Sequence, residues 1–184
     1  ENNTLEHCKL EGADYGLRMI DGTSYTVKYN VFNTNVDGIY TIAQDAEIFY
    51  NVFKGNQLAV NLSSYSVNAK IYNNVFYDNR QGVSTSYAEI LLYNNIFYMT
   101  RAGDQALNLK LDQLVSDNNI FYPEQTGFIV MKDAEFASLS DFQDEVGLDL
   151  NSMIVDPLFM DIYTDNFSVT KESRAIDAGK LVGL

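Results

Sequence analysis

Two groups that often do chemistry are almost absent from this chain. It has one histidine, His7, and one cysteine, Cys8, side by side near its start. A single His excludes a His-His metal pair and a two-histidine mechanism, and a single Cys excludes an internal disulfide and a Cys metal site. What remains is carboxylate chemistry. Twenty-five Asp and Glu face twelve Lys and Arg, for a formal net charge of −13. Carboxylates can work in pairs to hydrolyse a glycosidic bond, or gather to hold Ca²⁺ through oxygen ligands. Among so many acids, such pairs also arise by chance, and the first use of the acidity is solubility. The charge argues against a nucleic-acid partner, since phosphate binding needs a basic face.

These side chains must be positioned by something, and a repeat supplies it. The segments "LEHCKLEG", "VKYNVFNT", "IFYNVFKG", "IYNNVFYD", "LYNNIFYM" and "SDNNIFYP" align. Their fourth position holds Cys8, Asn30, Asn51, Asn74, Asn95 and Asn119, at spacings of 22, 21, 23, 21 and 24 residues. Their sixth holds Leu10, Phe32, Phe53, Phe76, Phe97 and Phe121. Later in each unit a small residue (Gly16, Gly38, Ala59, Gly82, Ala106, Gly127) precedes a short run: "LRMI", "IYTI", "VNLS", "VSTS", "LNLK" or "FIVM". The runs are β-branched and aromatic with no helical period, which disfavours a leucine-rich repeat. Three short strands per unit make an all-β, right-handed parallel β-helix of about six rungs, stacked roughly 4.8 Å apart.

In this coil the recurring Asn fits a tight bend, since Asn tolerates the left-handed conformation. Its amide hydrogen-bonds along the axis as a ladder, while the Phe column stacks inside. Asn73, Asn94 and Asn118 fall just before the bend. Beyond the rungs, Ser138 caps a short helix with Asp141 at its third position, Leu139, Phe142 and Val146 share one face, and Gly147 stops it. Residues 1–131 are therefore expected to be rungs and 132–184 a C-terminal cap that covers the sheet edges. No matching capping helix precedes Leu5, so the chain is expected to be the C-terminal part of a longer protein. It has no apolar stretch of about 18 residues that would span a membrane.

The motif "IYNNVFYDN…GV" resembles the repeat of the right-handed parallel β-helix superfamily, the pectate-lyase-like group, over residues 5–131. "DPLF" (Asp156, Pro157, Phe159) and "SRAIDAG" (Ser173, Ala175, Ile176, Asp177, Gly179) are similar to the closing segment of secreted bacterial β-helix proteins. Arg174 stands where those usually carry Pro. The resemblance implies a secreted or cell-surface protein that binds or processes polysaccharide, with its groove over the sheet formed by the runs after the small residue. Alternation of strand side chains then turns Leu17, Ile39, Val60, Val83, Leu107 and Phe128 inward. Arg18, Tyr40, Asn61, Ser84, Asn108 and Ile129 face outward, followed on that side by Ile20, Ile42, Ser63, Ser86, Lys110 and Met131.

The expected substrate-binding residues are thus Arg18, Tyr40, Asn61, Ser84, Asn108 and Lys110. A lyase needs a basic residue near a neutralised uronate, often with Ca²⁺, but Arg18 and Lys110 lie four rungs apart, roughly 19 Å. Asp14 and Asp37 flank one edge of the groove and Asp21 and Asp45 the other, without forming a distinctive pair. The readings left open are a polysaccharide lyase or glycoside hydrolase with an incomplete site in this chain, a non-catalytic glycan-binding module, and a structural spacer or adhesin.

Overall fold

The computed structural model describes residues 3–63, 68–86, 89–110 and 114–182. The chain coils as a right-handed parallel β-helix, with three strands per rung and six rungs among the described residues. Sheet A contains the strands Asn3–Glu6, Tyr25–Lys28, Glu47–Phe49, Ala69–Tyr72, Ile90–Tyr93 and Leu114–Asp117. Sheet B begins with Lys9–Glu11 and runs through Val75–Tyr77 to Ile120–Tyr122, and sheet C runs from Tyr15–Met19 to Ile129–Met131. Pairing between rungs is parallel and in register, with Phe32, Phe53, Phe76, Phe97 and Phe121 in one column. Their rings are fully buried and stack with centroids 4.6–5.3 Å apart.

The asparagine ladder is present, and its chemistry accounts for the repeat. The main-chain N–H of Asn51 donates to Asn74 Oδ1 at 3.0 Å, and its Nδ2 donates to the same oxygen at 3.1 Å. The Nδ2 of Asn51 also donates to Phe49 O and to Val27 O of the preceding rung. Asn30, Asn74 and Asn95 repeat this pattern. Each amide thereby satisfies main-chain groups that the bend would otherwise bury unpaired. The left-handed residue, however, is the one before the ladder Asn. His7, Tyr29, Tyr50, Asn73, Asn94 and Asn118 have φ of 54–57°. The sequence reading placed that conformation on the ladder Asn itself. With the previous residue left-handed, the ladder Asn side chain lies buried and bonds along the axis.

A second ladder lies at the corner between sheets B and C. Ala13 N–H donates to Asn35 Oδ1, Asn35 to Asn56 and Asn56 to Asn79, at 2.9–3.1 Å. Here too the preceding residue is left-handed: Gly12 before Ala13, Thr34 before Asn35, Gly55 before Asn56 and Asp78 before Asn79. Between the two corners, the short strands of sheet B are fixed at both ends.

The sixth rung corrects the expected faces. Leu107 pairs with Ile129, Asn108 with Val130 and Leu109 with Met131. Ile129 and Met131, expected outside, belong to the buried core, and Val130 takes the outward register. The cause is one extra residue. Both Ala106 and Leu107 donate to Phe128 O, a bulge that puts Phe128 opposite Ala106 and leaves left-handed Gly127 outside the small-residue column.

Past the sixth rung, Ser138 Oγ accepts from Asp141 N–H and caps the helix Leu139–Val146, which ends at left-handed Gly147. Leu139 and Phe142 bury against the core, and Phe142 meets Phe136 edge to face. Met153–Ile154 then joins sheet B beside Ile120–Phe121. The hairpin of Phe159–Asp161 and Asn166–Val169 lies on the outside of sheet B, where Phe167 meets Tyr77, Phe159 meets Tyr98 and Lys54 pairs with Asp165. No helix among the described residues is long and apolar enough to cross a membrane.

Candidate functional site

The hairpin sits on sheet B, away from sheet C. Along the outside of sheet C, Arg18, Tyr40, Asn61, Ser84 and Asn108 stand in one register, one per rung. Five of the six expected residues thus form a single row parallel to the coil axis. A second outward row was missed by the sequence reading: Tyr15, Asp37, Leu58, Gln81 and Gln105. The small residue after each of them points inward, so a Cβ on Gly38 would meet the Phe53 ring and Ala59 O. The strand therefore presents two inward positions in succession, and the residue before the small one faces out. That column is the signal by which this row could have been found.

The two rows interlock. The Arg18 guanidinium lies 5.3 Å from the Tyr15 ring centroid and 5.7 Å from that of Tyr40, and the two rings meet edge to face at 5.6 Å. No carboxylate among the described residues pairs with Arg18, although the chain is strongly acidic. Asn61 Nδ2 donates to Asp37 Oδ2 at 2.9 Å. Gln105 Oε1 accepts from Gln81 Nε2 and Asn108 Nδ2, at 2.8 and 2.9 Å. Burial raises the pKa of Asp37 above the ordinary carboxylate range, and the hydrogen bond from Asn61 only partly opposes it.

Lys110 stands apart from the row. It lies at the edge of sheet C, and its ammonium is paired with Asp133. The flanking acids do not converge into a reactive pair. Asp45 Oδ1 accepts from Asn68 Nδ2, and the main-chain oxygen of Asp21 accepts from the Tyr25 hydroxyl. Of the acids weighed from sequence, Asp37 alone has its carboxyl tied into the row.

No group of three or more His, Cys, Asp or Glu among the described residues is placed to hold a metal ion. The single imidazole and the single thiol, side chains suited to transition metals, are each engaged. The His7 ring stacks on Tyr29, and Cys8 Sγ donates to Glu6 O. Met19, Met99 and Met131 are buried in the core.

Coil, ladders and face define a right-handed parallel β-helix protein that displays one polar and aromatic sheet. The chain belongs to the NosD family, whose model, described as a periplasmic copper-binding protein, matches residues 1–103 of the 184. No curated protein and no solved structure shows a detectable match to it.

Proposed function

We propose that this protein binds an extended glycan along the outside of sheet C, outside the cytoplasm, as a secreted or surface-exposed β-helix. One observation carries the reading: the unbroken row Arg18–Tyr40–Asn61–Ser84–Asn108, one side chain per rung. A polymer laid along the axis meets the same kind of donor, acceptor or ring at each step. Asparagine and glutamine amides suit hydroxyl groups, and Tyr40 adds a partly apolar ring. Residues 1–131 then present the binding face, and 132–184 close the end of the coil.

The geometry favours binding over cleavage. Hydrolysis needs a second carboxylate at a set distance from the first, and Asp37 has no such partner in the row. Elimination needs a base near the neutralised acid, and Lys110 is tied to Asp133 at the far end of the face. For copper binding, the property in the family's description, no cluster of three His, Cys, Asp or Glu stands ready among the described residues.

Isothermal titration with oligosaccharides chosen from a glycan array, run with and without Ca²⁺, tests the proposal. Tyr40→Ala should weaken binding about tenfold, and Asn61→Ala about fivefold, for the loss of one ring contact and one or two hydrogen bonds. Both variants should keep the parent's stability within about 1 kcal/mol. If both bind as the parent does, this face is not the site.

A further inference from the structure

The corner between sheets A and B already holds a peptide. The segment from Ala175 to Val182 crosses the left-handed column that precedes the asparagine ladder. Asn94 grips both main-chain groups of Lys180: its Nδ2 donates to Lys180 O and its Oδ1 accepts from Lys180 N–H, each at 2.9 Å. One rung on, Asn118 Nδ2 donates to Ala178 O at 3.2 Å. The contact is close at Gly179, where a Cβ would lie 3.2 Å from Cγ and Oδ1 of Asn94. The Lys180 ammonium sits 4.0 Å above the centre of the Tyr93 ring, and its charge also acts on Asp117. Leu181 is 97% exposed, so its side chain adds little.

This recognition uses few side-chain features of the bound segment. It reads the main chain of alternate residues, one small residue and one cation. The reader is also repeated. "YNN" occurs at 72–74 and again at 93–95, and Asn73 lines the same groove as Asn94 and Asn118. The main-chain N–H of Asn73 donates to Tyr93 O, but its side-chain amide makes no hydrogen bond among the described residues. We infer that this corner is a docking groove for extended peptides carrying a small residue followed by lysine or arginine, and that residues 175–182 are its built-in occupant. The net charge of −13 favours approach of basic segments. A tethered occupant has a high effective concentration, so it masks the groove against a peptide in solution. The site is separate from sheet C and stands whether or not that face binds glycan.

The test is fluorescence anisotropy with a labelled peptide of the strap's own sequence, AIDAGKLV, added to the full chain. Gly179→Val forces the tethered strap off Asn94 while leaving the groove intact, and should bind the peptide at least tenfold tighter than the parent. Adding Asn94→Ala to that variant should return binding to the parent's level, whereas adding Asn61→Ala should change nothing. Lys180→Ala, which loses the contact with Tyr93 and the charge that acts on Asp117, serves as the releasing variant if Gly179→Val does not melt cooperatively. Equal binding by parent and released variants overturns the inference. So does binding that ignores Asn94→Ala, or a released corner that takes a neutral oligosaccharide and no peptide.

Discussion

Asn74 shows what one residue does in this coil. Its Oδ1 accepts two hydrogen bonds from Asn51, and its Nδ2 donates to Ile48 O, Tyr72 O and Asn95 Oδ1. Asn74→Ala takes a donor from those main-chain oxygens and the acceptor from the main-chain N–H of Asn51, while Asn51 Nδ2 keeps Val27 O and Phe49 O. The expected cost is about 1–3 kcal/mol, the usual range for buried polar groups left unpaired. A thermal melt should show the midpoint several degrees below the parent's, and an unchanged midpoint would show that the rung does not depend on its ladder. The recurrence of Asn at one position made this role legible in the sequence. The left-handed conformation was assigned one residue late because in "YNN" either Asn suits a bend. Tyr29 and Tyr50, poor left-handed residues, gave no hint that they hold it. The ladder of Asn35, Asn56 and Asn79 escaped notice because Asn after Thr, Gly or Asp also reads as an ordinary turn.

At the scale of the strand, the spacing between rungs is set by what points inward. Gly82 is the sharpest case. A Cβ there would lie 2.5 Å from Ala106 O and 2.9 Å from two carbons of the Phe97 ring. Gly82→Ala must either part the fourth and fifth rungs or tilt the Phe97 ring out of its stack. A loss of about 1–3 kcal/mol is expected, as for other overpacked cores. Ser84→Ala, two residues away on the outer row, should stay within about 0.5 kcal/mol. Denaturant unfolding of the two variants side by side checks the contrast, and similar losses would mean that this column is not tight. The periodic strands could be read from the sequence because each rung repeats the last. The sixth could not, because Gly127 looks like a column glycine but serves a turn, and the extra residue beside it shifts the outward register by one. The outward row headed by Tyr15 and Asp37 was hidden for a related reason, since strict alternation fails wherever two successive residues turn inward.

At the scale of the whole molecule, the coil's end governs how stability responds to pH. The first ladder ends at Asn119, whose main-chain N–H donates to Ser152 Oγ at 2.7 Å and whose Nδ2 donates to Asp149 Oδ1 at 2.9 Å. Asp149 is 1% exposed, and its Oδ2 is buried with no hydrogen-bond partner. Burial raises its pKa, and hydrogen bonds from Asn119, Ser116 and Ser152 only partly oppose this. Asp37 is shifted in the same direction by burial. A carboxyl whose folded pKa lies above its unfolded value, about 4, is kept protonated to higher pH by the folded state. Its effect is neutral below the unfolded pKa and becomes destabilising as pH climbs from there through the folded value. Asp117 acts in the opposite window. Burial works to raise its pKa, but hydrogen bonds from Asn151 and Asn118 and the charge of Lys180 outweigh it and hold the pKa low. Its contribution is lost as pH falls below about 4. Stability should therefore peak in mildly acidic solution and decline toward neutral pH, in the same direction as the self-repulsion of a chain with net charge −13. Asp149→Asn separates the two causes, because it removes one charge of thirteen but the whole of the buried ionisation. Thermal melts from pH 4 to pH 8 should show this variant more stable than the parent at pH 7, with a flatter decline. If both proteins decline in parallel, the fall comes from surface repulsion, and Asp149 does not set the pH response of the coil's end.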